Sequence, residues 1–290
     1  MLFDIIKLIR PAQWLKNGII VLALVFAGEL NNPEKIILAI IAIAVYCLLS
    51  SAVYTFNDLI DIERDKQHPL KKNRPLASGR IGRGTAVVII TILTILGVAV
   101  AWMINVPFFV SVFAFIVLNV AYTLWLKDIV IVDVIAVAMS FVIRAYAGAF
   151  SIEVPASIWM LINTLLLALF LGLGKRRHEL VFLEDSAVSH RKTLSKYSSY
   201  LLDQFIVIIT ASVIVIYMLY SFSPEVSEKL GTDNLFVTIP FVVYGLFRYL
   251  YLIHREEQGG SPTSVLVNDK PILLTVLLWL ITASIVLYVL

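Results

Sequence analysis

Charge is scarce in this chain. Only 15% of its 290 residues are Asp, Glu, Lys or Arg, whereas 60% are hydrophobic. A water-soluble domain carries roughly 25% charged residues, so this composition cannot clothe a soluble surface of that size. Cysteine is rarer still. Cys47 stands alone inside an apolar run, which excludes an intramolecular disulfide and a thiolate metal centre. The four histidines fall in no spacing that suits zinc. A formal net charge of +3 gives no reason to expect a nucleic-acid partner.

Apolar runs are what the chain has in abundance. IILAIIAIAVYCLLSSAVYTF, AVVIITILTILGVAVAWMI, ASIWMLINTLLLALFLGLG and PILLTVLLWLITASIVLYVL each approach the ~20 residues that cross a bilayer as helix. Reading such runs between charge clusters predicts nine spans, near 14–30, 36–57, 85–104, 107–125, 129–150, 157–174, 204–223, 235–253 and 271–290. The expected fold class is an all-α polytopic membrane protein: one nine-helix domain over residues 1–290. MLFDIIKLIRPAQWLKN lacks a short apolar core followed by a small-residue cleavage site, so the first span is expected to be retained. With the N-terminus inside, all but three of the 23 Lys and Arg fall in cytoplasmic segments, the exceptions being Lys35, Lys229 and Arg144. The positive-inside rule then places a polar mouth on the cytoplasmic side of the cell membrane.

Against this background NDLIDIERD (57–65) stands out. Continued as helix from the second span, Asn57, Asp61 and Asp65 are successive i, i+4 neighbours, and Asp58 lies i, i+3 from Asp61. Three carboxylates and an amide on one face repel unless a cation joins them. Hard oxygen donors at a membrane edge suit Mg²⁺, which keeps several waters and shares its shell with a substrate phosphate. The metal ligands predicted are Asn57, Asp58, Asp61 and Asp65. An acidic turn that merely marks the membrane edge is the plainer reading. HPLKKNRPLASGR follows, with Lys71, Lys72, Arg74 and Arg80 in a strip that Pro69 and Pro75 keep from continuous helix. Carboxylates with metal on one side and basic residues on the other describe a phosphate or diphosphate clamp. Taken alone, the strip is also what a topology signal looks like.

Two further nodes lie at cytoplasmic turns. YTLWLKDIVIVDVIAVA sets Tyr122, Lys127, Asp128 and Asp133 around the turn between the fourth and fifth spans. Asp133 falls about one turn inside the fifth span, where a metal or Lys127 is the natural partner. Asp128 is either functional or a helix N-terminal charge. Arg144 holds a polar group deep among the helices or snorkels to the outer interface, and snorkelling is the expectation. GKRRHEL (174–180) ends the sixth span; Lys175 and Arg176 are phosphate-binding candidates, and Lys175 can also pair with Glu179. RPAQWLKN offers Arg10, Trp14, Lys16 and Asn17 as an interface anchor or as lining for the mouth.

These residues resemble the UbiA-type superfamily of intramembrane prenyltransferases, a nine-helix fold with two acidic motifs at one mouth. The first motif, NDxxDxxxD, stands intact as Asn57, Asp58, Asp61 and Asp65. The second departs from the usual DxxxD or DxxDxxxD form: here Lys127 precedes Asp128, and Asp133 follows five residues on. That departure resembles the decaprenyl-phosphate phosphoribosyltransferase branch, as do RPAQWLKN, RPLASG, GKRRHEL and LVNDKPILLTVLLW. The resemblance spans essentially the whole chain.

The branch implies a Mg²⁺-dependent transfer of 5-phosphoribose from 5-phosphoribosyl 1-diphosphate to a polyprenyl monophosphate, supplying arabinan-type cell-wall precursors. On that expectation Asp58, Asp61 and Asp65 hold the metal, and Asp133 binds a second metal or orients Lys127. Lys127, Lys175 and Arg176 neutralise phosphate, with Lys16, Asn57, Lys71, Arg74 and Tyr122 lining the substrate site. Membrane lipids surround the helices, and homo-oligomerisation is compatible with such a fold. Two rivals stand beside this. One is a prenyltransferase that moves a prenyl group from prenyl diphosphate to an aromatic acceptor of a quinone or haem pathway, against which Lys127 argues. The other is a transporter relaying charge through Asp133 and Arg144, against which the lack of an internal repeat argues.

Overall fold

The structure is a computed structural model that describes residues 2–69, 71–182, 193–255, 265 and 268–288. Arg191 and Lys192, counted above among the cytoplasmic basic residues, lie outside the described residues. Among those residues every regular element is helical, and nine segments are long and apolar enough to cross a membrane. The chain is an integral membrane protein. It divides into two compact units, residues 1–24 with 32–156, and residues 25–31 with 157–290.

The first unit opens with a broken span. Helix α1 (Leu2–Ile9) gives way at Arg10, whose backbone is left-handed at φ 52°, to a 3-10 helix over Pro11–Ile20 and then α2 (Val21–Phe26). The crossing therefore covers Leu2–Phe26, not 14–30. The early charges Asp4 and Lys7 concealed it: α1 keeps Leu8 fully buried against Ile62, Leu76, Ile81 and Ala86, while Leu2, Phe3 and Ile6 are exposed beside those charges. Gly28, at φ 75°, turns the chain soon after Phe26.

Four longer helices complete this unit: α3 (Pro33–Ile60), α5 (Arg83–Ile104), α6 (Val106–Leu124) and α7 (Val132–Ser151), with the short α4 (Ile62–Gln67) following α3. An Asn cap with a proline in the first two helical positions starts two of them. The Asn32 side chain accepts from the Lys35 amide, and the Asn105 side chain accepts from that of Phe108 at 2.8 Å, each with proline where no amide is needed. Tyr46, Leu49, Phe108, Val112 and Phe115 form the core. Lipid supplies little hydrophobic drive between helices, so close approach through small residues must contribute. Gly148 on α7 meets the Ile20 carbonyl so closely that a Cβ would lie 2.4 Å from its oxygen.

The second unit contains α8 (Ile158–Phe182), α9 (Ser199–Ser221), the short α10 (Pro224–Leu230), α11 (Ile239–Arg255) and α12 (Lys270–Tyr288). Trp279 donates to the Tyr217 hydroxyl at 2.8 Å, and that hydroxyl lies 2.7 Å from Thr238 Oγ1. Arg248 clamps Asp269 with two guanidinium nitrogens at 3.3 and 2.8 Å.

Candidate active site

The acidic motif lies where α3 runs into α4. Asp61 separates the two helices, yet its amide donates to the Asn57 carbonyl at 3.0 Å and the Asp65 amide donates to Asp61 at 2.8 Å. The i, i+4 ladder therefore passes through the break and keeps the motif residues in helical register. Asp58 and Asp65 are buried, at 2% and 5% exposure. Burial pushes the Asp65 carboxyl above its ordinary range, and the Arg74 charge opposes that rise.

Each motif carboxylate meets a basic side chain of the same unit. Arg10 donates to Asp58. Arg74 Nη1 lies 3.0 Å from Asp58 Oδ1 and 2.6 Å from Asp65 Oδ2, bridging the two. Lys127 Nζ holds both oxygens of Asp61, at 2.7 and 2.8 Å. Arg64 lies 3.5 Å from Asp128 and 3.9 Å from Asp61. The Asn57 side-chain oxygen accepts from the Thr123 hydroxyl at 3.4 Å. Sequence reasoning expected a cation to reconcile these acids and favoured Mg²⁺; the chain's own arginines and lysine also reach them, drawn from segments that lie far apart in sequence.

The turn between α6 and α7 delivers the second node. Tyr122 lies near the end of α6 and is partly exposed. Lys127 is 7% exposed and Asp133, in the first turn of α7, is fully buried. Asp128 Oδ1 is buried with no hydrogen bond. Ile131 stands at φ 69°, a conformation a β-branched residue rarely takes, so strain is stored in the turn that carries these charges.

Arg144 is a correction. It does not snorkel: it is 3% exposed, its Nε donates to Asn17 at 2.9 Å, and its Nη1 donates to the Ser140 carbonyl and hydroxyl at 3.0 and 2.7 Å. A side chain offered internal acceptors by two serines and an asparagine has no reason to reach for the interface.

The remaining candidates are distributed unevenly. Lys71 begins a short 3-10 turn that ends before Arg74, and buried Pro75, Leu76 and Ala77 anchor the loop beneath it. Arg80 is spent on Asp4 and the Asn73 carbonyl, so only part of the basic strip faces the acids. Lys16 lies 5.9 Å from the centre of the Tyr54 ring, and Arg10 5.4 Å from it. Arg10 and Tyr54 are the residues whose part in this cluster sequence reasoning underrated; the i, i+4 step from Tyr54 to Asp58 was the available signal. Lys175 and Arg176 belong to the second unit, where both pair with Glu179.

Does this donor set suit Mg²⁺? Among the described residues no three His, Cys, Asp or Glu converge as ligands. However, Mg²⁺ commonly takes one or two carboxylates and completes its octahedron with water and substrate phosphate. Asp58 and Asp65, already gathered around one Arg74 nitrogen, are such a pair of hard donors. The residues fit a metal that arrives with a diphosphate, which in turn gives Arg74 another anion to hold.

Comparison with known proteins matches residues 18–267 to the UbiA prenyltransferase family. A protein of Mycolicibacterium smegmatis named decaprenyl-phosphate phosphoribosyltransferase is 30% identical, over 98% of this chain and 92% of that protein. One of the same name from Corynebacterium glutamicum is 29% identical, over 98% of this chain and 86% of that protein. A UbiA homolog from Archaeoglobus fulgidus, solved bound to GPP and Mg²⁺, superposes with a TM-score of 0.74 over 99% of this chain and 100% of its own, at 19% identity.

Proposed function

Because the chain belongs to the UbiA prenyltransferase family, we propose that it is a Mg²⁺-dependent transferase moving 5-phosphoribose from 5-phosphoribosyl 1-diphosphate to a polyprenyl monophosphate. The observation that carries this reading is Lys127 clamped on Asp61 where most of the family places a regularly spaced second acidic motif. Relatives named decaprenyl-phosphate phosphoribosyltransferase, aligned along nearly the full chain, support it.

Asp58, Asp61 and Asp65, with Asn57, would hold the metal. Bound there, Mg²⁺ would disperse the charge of the departing diphosphate. Arg74, Lys71 and Lys16 supply the cations that a donor bearing both a diphosphate and a phosphate monoester requires. Tyr122 lines the same mouth, Asp133 orients the Lys127 turn, and Lys175 and Arg176 bind substrate phosphate. The bond from C1 of ribose to the diphosphate oxygen breaks, the electron pair leaving with diphosphate. An acceptor phosphate oxygen then bonds to C1, which has oxocarbenium character in the transition state. That oxygen is already anionic at neutral pH, so the site needs no strong general base. The mouth faces the cytoplasm of the cell membrane, where the soluble donor is available, and the prenyl tail stays in lipid or between helices within one catalytic domain.

Purified protein in detergent, given labelled donor and polyprenyl phosphate, should form a lipid-soluble labelled product with Mg²⁺ and none with chelator. Asp61→Asn and Asp65→Asn should each reduce turnover at least ~100-fold while the protein stays folded. A prenyl diphosphate offered with 4-hydroxybenzoate tests the aromatic-acceptor reading, and product from that pair alone would replace the proposal.

A further inference from the structure

We propose that Arg144, Lys16 and Tyr54 form an anion subsite within the first unit, set deeper than the carboxylates, that takes a phosphate monoester. Two positive charges with no carboxylate partner among the described residues motivate this. Arg144 is buried within the fifth span, and its neighbours are Asn17, Ser50 and Ser140 with the rings of Phe115 and Phe141 at 4.6 and 5.2 Å. The titratable groups that face it are Tyr54, Tyr46 and Cys47, all neutral in their ordinary state. Lys16 is partly exposed and leans over the Tyr54 ring, 5.9 Å from its centre. Asp58, one helical turn beyond Tyr54 on α3, is already engaged by Arg10 and Arg74.

A cation at bilayer depth without a counter-ion is expensive, and residues of this kind mark substrate paths more often than structural pairs. The Arg144 guanidinium is also unevenly served. Nε and Nη1 have acceptors between 2.7 and 3.0 Å, whereas among the described residues Nη2 reaches only Ser50 Oγ, at 3.5 Å. A dianionic oxygen cluster would satisfy Nη2 and the Lys16 ammonium together, with the Tyr54 hydroxyl as a neutral donor.

The local backbone is built for the purpose. The segment that carries Lys16 is 3-10 helix within a membrane span, which is tolerated where irregular backbone is enclosed by protein. It is pinned at three points: Trp14 donates to Ser51 at 2.9 Å, Asn17 joins Arg144, and Ile20 presses on Gly148. Arg144 and Gly148 are i, i+4 on α7, so one face of that helix fixes the segment. The chain thereby holds Lys16 at a set distance from Tyr54 instead of letting it reach the interface.

The subsite rests on the proposed reaction only for naming the two phosphate monoesters available, the donor 5-phosphate and the polyprenyl phosphate head. Binding of ribose 5-phosphate and of dodecyl phosphate to detergent-purified protein, in chelator and without transfer, tests it directly. Lys16→Gln and Arg144→Gln should each weaken one of these ligands at least ~10-fold, the loss of one charge-assisted hydrogen bond. Loss confined to ribose 5-phosphate assigns the donor; loss confined to dodecyl phosphate assigns the acceptor. In turnover, the KM for the same substrate should rise by a similar factor. Unchanged affinity for both ligands in Lys16→Gln overturns the subsite even if Arg144→Gln fails to fold. Wild-type binding with no ribosyl transfer would sink the proposed reaction and leave the subsite standing.

Discussion

Lys127 and Asp61 are joined by two contacts, 2.7 and 2.8 Å, that tie the turn between α6 and α7 to the end of α3. Both side chains are largely buried, at 8% and 16% exposure. Removing one partner of such a pair leaves the other as a stranded charge, at a cost of about 3 kcal/mol. Lys127→Met should therefore lower the melting temperature in detergent. Asp61→Asn with Lys127→Met should recover at least about 1 kcal/mol of the summed loss, because each substitution removes the other's reason to be costly. Additive losses in that cycle would show the pair to be incidental.

Arg74 occupies the position between Asp58 and Asp65 that a divalent ion would need. Without substrate, the two carboxylates are satisfied and metal affinity should be weak. Arg74→Gln should free them, so that substrate-free protein binds Mn²⁺ at least ~10-fold more tightly in an EPR titration, while donor turnover falls. Tighter Mn²⁺ binding together with undiminished turnover would separate Arg74 from the diphosphate.

Much of this was legible in the sequence, for reasons that differ by element. Apolar run length revealed the spans, because a helix that satisfies its own backbone in lipid needs ~20 residues and little else. Asn57, Asp61 and Asp65 were legible because their spacing is local. The partners were not: Arg10 and Arg74 reach Asp58 from opposite directions along the chain, and no periodicity encodes that meeting. Leu2–Ile9 was hidden by its charges, and the break at Arg10 is a left-handed residue with no glycine to announce it. Arg144 misled because a lone arginine in a span ordinarily snorkels, and the acceptors that hold it come from α3, the 3-10 segment and its own helix turn.

Acid should loosen the second unit through Asp269. Hydrogen bonds from Arg248, then the Ile272 amide, hold its carboxyl below the ordinary carboxylate range against the opposing effect of burial. A depressed value in the folded state means the unfolded chain binds the proton first. The stabilisation is complete above the unfolded value of about 3.9 and disappears as pH falls through the folded value. Melting temperature from pH 6 to pH 3 should fall less steeply in Asp269→Asn, which starts lower at neutral pH. Parallel curves would mean that the Arg248 clamp contributes nothing to the titration.

Two glycines in the first unit face obstacles of different stiffness, and that difference can be measured. A Cβ on Gly97 would meet Leu49 Cδ2 at 2.8 Å, and a leucine side chain can change rotamer to make room. A Cβ on Gly148 would meet the Ile20 carbonyl oxygen at 2.4 Å, and that backbone ends the 3-10 segment pinned by Trp14 and Asn17. Alanine also gains about 1 kcal/mol of helix propensity over glycine, which favours both substitutions equally. Gly97→Ala should therefore melt near the parent temperature. Gly148→Ala should lose about 1–3 kcal/mol through overpacking, and should lower turnover further by displacing Asn17 and Lys16 with Ile20. Equal melting temperatures for the two variants would mean that the broken first span does not press on α7, and the rigid seat argued for Lys16 would go with it.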